Sequence, residues 1–215
     1  MQVQYETLDL NHGVESDTFR LTYIQPLGEK QDYSLRYRVP VASVDALGND
    51  DYGLGDASLQ VGHVFGLTRE GGFVAQGEMV FDTASRDELG TGKNVARGTF
   101  IAARFLDNGA ILAPSLVQSV SLWGDGGRAD VNTTTMDVYY VPKLADPRQL
   151  LTFDPALNAD WETEKEYLSL AVTYGYVLGK AFGGRSILTI KPSMFFGGER
   201  PGDWGVEFGL KIIDF

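Results

Sequence analysis

From Trp204 to Ile212 the chain alternates. Trp204, Val206, Phe208, Leu210 and Ile212 share one face of an extended segment, and Glu207 and Lys211 share the other. Side chains in a strand alternate faces with a period of two, so this spacing predicts a strand with one apolar and one polar face. The pattern recurs along the chain. Tyr33, Leu35, Tyr37, Val39 and Val41 oppose Ser34, Arg36, Arg38 and Pro40. Leu168, Leu170, Val172, Tyr174 and Tyr176 oppose Ser169, Ala171 and Thr173. Leu188, Ile190, Pro192, Met194 and Phe196 oppose Thr189, Lys191 and Ser193.

About twelve such segments fit into 215 residues. A soluble sheet also alternates, with its apolar face inside. Here aromatic residues collect near strand ends and charges share the polar phase, so the expected order is reversed, with apolar side chains facing lipid and polar ones a lumen. The fold class expected is therefore all-β: one transmembrane, antiparallel, up-and-down β-barrel of about twelve strands over residues 1–215. No apolar run reaches the roughly 18–20 residues a membrane helix needs. The 26 glycines and 12% aromatic residues fit tight turns and interfacial girdles. Short turns near Gly28, Glu70, Asn108, Asp146 and Lys180 alternate with longer loops near Asp50, Glu88 and Asp125. Both termini then fall on the short-turn side and the long loops face outside the cell. Asp107-Asn108-Gly109 is read as a tight hairpin turn. Prolines 40, 114, 142, 155 and 192 sit inside apparent strands, and each removes a ladder donor.

A net charge of −11 argues against nucleic acid as a partner, and the absence of cysteine excludes disulfides, thiolate metal sites and thiol catalysis. No cofactor or metal is expected. Gly90-Thr91-Gly92-Lys93 lacks the spacing and following helix of a phosphate loop. Asn49-Asp50-Asp51 and the acids of 125–130 read as solvated loop residues ahead of a calcium site. Met1-Gln-Val-Gln-Tyr is not a basic and apolar leader, so the chain is read as a mature form.

The residues expected to line the lumen are Arg20, Arg36, Arg38, Gln76, Glu78, Asp82, Arg104, Asp137, Asp154, Asp160 and Lys191. Arg104 enters because Thr99, Ile101, Ala103 and Phe105 are taken as the outward face of their strand. The arginines of the second and third strands are expected to face an acidic wall across the lumen, and a barrel of this size to hold a narrow conduit or charges that pair and plug it. His63 is read as an outward girdle residue; a hydrolytic pairing with Ser58 or Ser115 is the alternative, and no enzyme activity is assigned. The polar stretch 83–96 is expected to fold over or into the outer mouth.

The ending on Phe215 resembles the C-terminal recognition strand of bacterial outer-membrane proteins. That implies the outer membrane as location, with lipid, lipopolysaccharide and the barrel-assembly machinery as partners. Its phase conflicts with Ile212, so a bulge at Ile212–Ile213 or an early strand end is expected. Gly53-Leu54-Gly55-Asp56-Ala57-Ser58-Leu59 and Leu89-Gly90-Thr91-Gly92 resemble motifs of the outer-membrane putative transporters of the phenol meta-cleavage (MetA-pathway) type. Asp82-Thr83-Ala84 departs from that family's Pro-Thr-Gly. The resemblance implies passage of small, often hydrophobic or aromatic solutes. A lipocalin-like soluble ligand carrier and a lipid-modifying barrel enzyme remain as alternatives.

Overall fold

The computed structural model describes residues 1–45, 51–181 and 183–213. Twelve long strands form the wall. They are β1 (Gln2–Leu10), β2 (Val14–Leu27), β3 (Tyr33–Val44), β5 (Ser58–Phe65), β6 (Gly71–Val80), β7 (Lys93–Phe105), β8 (Ile111–Gly124), β9 (Asn132–Val141), β10 (Gln149–Asp160), β11 (Lys165–Ala181), β12 (Gly184–Phe196) and β13 (Gly202–Ile213); the two-residue β4 (Gly53–Leu54) lies above β5 on the edge of β3. Each wall strand pairs antiparallel with its neighbours in sequence, and β1 pairs with β13, so among the described residues the twelve-stranded wall closes on itself. Closure satisfies the backbone without water, which a membrane requires. The Met1 ammonium donates to the Ile212 carbonyl at 2.9 Å, which holds the chain start against the end of β13 on the short-turn rim.

The alternation has the expected sense. Leu168 (54%), Leu188 (47%) and Phe208 (50%) are exposed on the outside, along with Leu170, Ile190 and Met194. Ser58, Gln60, Glu78, Ser119 and Asp137 are buried on the inside. A wall whose exposed residues are leucines, valines and aromatics belongs in lipid, and this overturns the soluble-carrier alternative. Gln118 is a polar residue in the outward phase. It donates to Asn132 Oδ1 at 3.0 Å and accepts from Thr134, while Trp161 donates to Thr134 Oγ1 at 2.8 Å, so this outer patch satisfies itself near the long-loop rim.

The prolines leave local marks. The paired register breaks off beside Pro114, Pro155 and Pro192 and resumes three residues later, as a missing N–H requires. Pro142 lies just beyond the end of β9. Gly109 adopts φ +80° in the Asp107–Gly109 turn, where Ala110 N donates to Asn108 Oδ1 at 3.0 Å. No register shift occurs at Ile212–Ile213, and the described strand ends at Ile213. The terminal phase of Asp214 and Phe215 lies outside the described residues.

Strand tilt determines which residues share a level. Following paired residues from Tyr33 leads through His63, Ala75, Phe100, Leu116, Met136, Leu157 and Leu168 to Phe196. From Ser193 the path continues through Gly205, Leu8 and Ser16 to Val44. Val44 is eleven residues above Tyr33 and Ser193 three below Phe196, so one circuit climbs about fourteen residues toward the long-loop rim. Twelve tilted strands with this stagger give a backbone cylinder on the order of 24 Å across.

Candidate functional site: the inner wall and the outer mouth

The inner wall carries charge at two heights. In the upper belt, Glu78 sits on β6 with its side chain only 2% exposed. It accepts from Arg38 at 3.2 Å, from Arg97 at 3.1 Å and from Ser58 Oγ at 2.6 Å. Arg97 also donates to Ser119 Oγ at 3.1 Å. Arg20 is paired with Glu6 and with Glu207, the latter at 3.0 Å, and Gln4 donates to Glu207 at 2.7 Å. These pairs run sideways along the wall between strands one or two apart. That corrects the expectation that Arg20 and Arg38 face acids across the lumen: partners one or two strands away are within side-chain reach, and the far wall is not.

The lower belt holds the unpaired groups. Perpendicular pairing from Arg36 runs through Gln60, Glu78, Arg97, Ser119 and Thr133 to Asp160 on β10. That is six strands, half the circumference, and half the climb is about seven residues. Seven residues back along β10 is Phe153, beside the inward Asp154. Arg36 and Asp154 therefore stand at one level on opposite sides of the barrel. The same construction brings Thr22, Gln76, Ser115 and Tyr139 to this level, with Asp137 and Lys191 within about one or two residues of it. Tyr139 donates to Asp137 at 3.4 Å. Arg36, Asp154 and Lys191 make no ion pair among the described residues.

Two of the residues expected in the lumen, Arg104 and Asp82, are corrected, and a third, Asp160, sits at the mouth. Arg104 is exposed and shares the outer face with Leu112 and with the Phe73 phase of β6, near the short-turn rim. Its strand has the opposite phase to the one expected, with Phe100 outward at 46% exposure and Val95 buried inside at 3%. Asp82 lies beyond the end of β6 and is exposed, its backbone N–H donating to Asn94 at 3.3 Å. Asp160 has the inward phase but caps the β10–β11 turn, accepting from Thr163 Oγ1 at 2.7 Å and Glu162 N at 3.0 Å. Arg97 and Glu6 are inward residues absent from the expected lumen set, Arg97 for the same error of phase.

The outer mouth is built by three adjacent loops. The Asp56 carboxylate accepts from Thr83 N and Ala84 N at 3.1 Å, from Thr91 N at 2.8 Å and from Thr91 Oγ1 at 3.3 Å. Thr83 Oγ1 accepts from Ala57 N at 2.8 Å, and Ser85 N donates to Leu54 O at 2.8 Å. Arg86 donates to Asp51 O, and Arg128 reaches across from the third loop to Gly90 O at 2.7 Å. Lys93, buried, pairs with Asp130 at 2.8 Å. Gly90-Thr91-Gly92-Lys93 is thus a clasp between loops. Leu89, in a short 3-10 turn at Asp87–Leu89, is buried where a Cβ on Gly53 would point. Gly53 pairs with Ala42 and Gly55 lies against Pro40, both on the inward phase of β3, so the 81–92 loop folds to the inner side of the rim.

His63 stacks face to face on Tyr33, ring centroids 4.1 Å apart, in an outward row continued by Phe65, Phe73 and Phe100. The wall separates it from the inward Ser58 and Ser115, which removes the hydrolytic pairing. Asn49 and Asp50 lie outside the described residues. Asp125 accepts from Gly127 N and Asp130 is held by Lys93 and Ser121, and no metal-binding group of carboxylates and histidines occurs among the described residues.

No protein-family model matches the sequence, and no curated protein matches it. Solved structures match over nearly the whole chain. An outer membrane channel from Pseudomonas putida F1 aligns with a TM-score of 0.74 at 12% identity, covering 97% of this chain and 92% of that one. The NanC porin aligns at 0.67 with 9% identity, over 98% of each chain. The KdgM porin, solved with disordered oligogalacturonate, aligns at 0.61 with 8% identity over the full length of both. At these identities the likeness is one of fold, and the fold is the closed antiparallel barrel of outer-membrane proteins.

Proposed function

We propose that the protein is a bacterial outer-membrane channel, a narrow conduit for small solutes. The observation that carries this is the reversed wall: charged and polar side chains of both signs line the interior of a closed cylinder whose outside is apolar. An interior this polar favours water and small polar solutes over a dry core. Its bore is set by twelve strands, between filled eight-stranded and open sixteen-stranded barrels, and is narrowed by the inward 81–92 loop. The likeness to channel and porin structures supports the same reading.

The reading extends to partners. Lipopolysaccharide would meet the apolar band below the long-loop rim, phospholipid would meet the aromatic row at Tyr33, Phe65 and Phe73 near the short-turn rim, and the barrel-assembly machinery would engage the final strand. Membership of the meta-cleavage transporter type rests on the two glycine motifs, which the Asp56 clasp brings together. The test is liposome swelling. Proteoliposomes should swell in isosmotic glycerol and arabinose faster than protein-free liposomes and exclude large oligosaccharides. Rates equal to the protein-free control for every solute would defeat the proposal.

A further inference from the structure

Four buried side-chain atoms lack a hydrogen-bond partner among the described residues: Thr22 Oγ1, Arg36 Nε, Ser115 Oγ and Asp154 Oδ1. Buried polar groups are normally satisfied, so each exception calls for a reason. All four have the inward phase, and all four fall in the lower belt. They divide into two poles. Thr22 and Arg36 belong to β2 and β3, and Ser115 and Asp154 to β8 and β10, with Asp137 on β9 between them. Ser115 lies beside its cross-strand partner Asp137.

The charges divide in the same way. On the β1–β7 side, Arg20, Arg38 and Arg97 are paired with Glu6, Glu78 and Glu207, and Arg36 is the guanidinium without a carboxylate; Lys211, also of the inward phase on the adjoining β13, is exposed toward the short-turn rim. On the far side Asp137 and Asp154 stand against Lys191, leaving one negative charge. The lower belt therefore presents an unmatched cation facing an unmatched anion across the bore.

Resting on the channel reading, we propose that this belt is a solute-binding site for dipolar molecules that carry a carboxylate at one end and an ammonium group at the other. The carboxylate is taken by Arg36, whose planar guanidinium suits it, with Thr22 beside it. The ammonium is taken by Asp154 and Asp137. The upper belt, fully paired, adds no competing site. A bore this wide favours solutes whose two charges are well separated over α-amino acids, whose charges are adjacent. A single-charged ion satisfies only one pole and is repelled by the other.

Two isomers of equal mass separate these cases: ε-aminocaproate, with distant charges, and leucine, with adjacent ones. Swelling of proteoliposomes in each is compared with 1,2,6-hexanetriol, a neutral solute of similar size. The expected order is ε-aminocaproate fastest, by at least threefold over hexanetriol, with leucine between. Arg36→Gln and Asp154→Asn should each bring ε-aminocaproate down to the hexanetriol rate while leaving hexanetriol unchanged. Arg36→Lys, which keeps the charge, should retain at least half of the excess. Among the described residues neither has a hydrogen-bond or ion-pair partner to strand, and retention of the folded barrel is checked by its mobility on unheated gels. Equal rates for the three solutes, or variants that keep the excess, overturn the dipolar site and leave the channel standing. Failure of hexanetriol itself to enter overturns the channel reading, and the dipolar site with it.

Discussion

Asp56 accepts a hydrogen bond from the Thr91 backbone N–H at 2.8 Å, joining two glycine-rich stretches 35 residues apart. Three more donors of the same loop, Thr83 N, Ala84 N and Thr91 Oγ1, converge on that carboxylate. Bonds to a charged group are worth about 1.5–3 kcal/mol each when shielded. Asp56 is half-buried, and water can replace part of the clasp. Asp56→Ala should then cost the loop about 2 kcal/mol and raise its opening roughly thirtyfold, with the barrel intact. Trypsin cleavage after Arg86 measures this directly. Cleavage as slow as in the parent protein would show that the loop is held by other contacts.

Gly90 tests the same clasp by shape. A Cβ there would lie 2.5 Å from Ala84 Cβ and 2.6 Å from Asp56 Oδ1, closer than real contacts allow. The backbone at Gly90 is extended, φ −151°, so the requirement for glycine is steric. Gly90→Ala should therefore behave as Asp56→Ala does, and the double variant should be no worse than either alone. Additive effects would mean the two residues act separately.

Glu78 governs the upper belt. Glu78→Gln leaves Arg38 and Arg97 facing a neutral amide and adds one positive charge to that wall. The loss should destabilise the barrel by about 2–3 kcal/mol and shift the reversal potential in a salt gradient toward chloride. An unchanged reversal potential would place this belt away from the ion path.

Acid should loosen the outer mouth late. The Lys93 ammonium and the Ser121 hydroxyl hold the Asp130 carboxyl below its ordinary value. A depressed folded value means that the latch contributes above the unfolded carboxylate range, about pH 4, and is lost as pH falls through the folded value. Amide exchange in residues 125–131 should stay flat from pH 7 to about 4, after correction for intrinsic rates, and rise below that. A rise near pH 6 would implicate a different group.

Much of the wall was legible in the sequence because β3, β11, β12 and β13 alternate cleanly, and a one-residue slip would turn arginine or lysine toward lipid. Strand β7 does not alternate. Val95, Ala96, Phe100, Ile101, Ala102 and Ala103 put apolar residues on both faces, so alternation leaves the phase undetermined and exchanges Arg104 for Arg97. Phe100 was the available signal, since a large aromatic beside Phe73 belongs to the lipid side. The Asp56 clasp was half legible. The glycines marked both stretches, but their contact depends on loops that meet only when β3 through β7 are in register. The sideways pairing of Arg38 with Glu78 was hidden for the same reason, because alternation gives the face of a residue and not its height.

The central claim is that residues of one phase line a water-filled path while residues of the other face lipid. The chain has no cysteine, so single substitutions report cleanly. Gln76→Cys lies inward at the level of Arg36, and Leu170→Cys lies outward in the apolar band. Each is inserted in a planar bilayer and treated with a bulky, water-soluble thiosulfonate while single-channel current is recorded. Current through the Gln76→Cys channel should fall stepwise on modification, and current through Leu170→Cys should not change. Absence of any current before treatment, or equal block at both positions, would contradict the account.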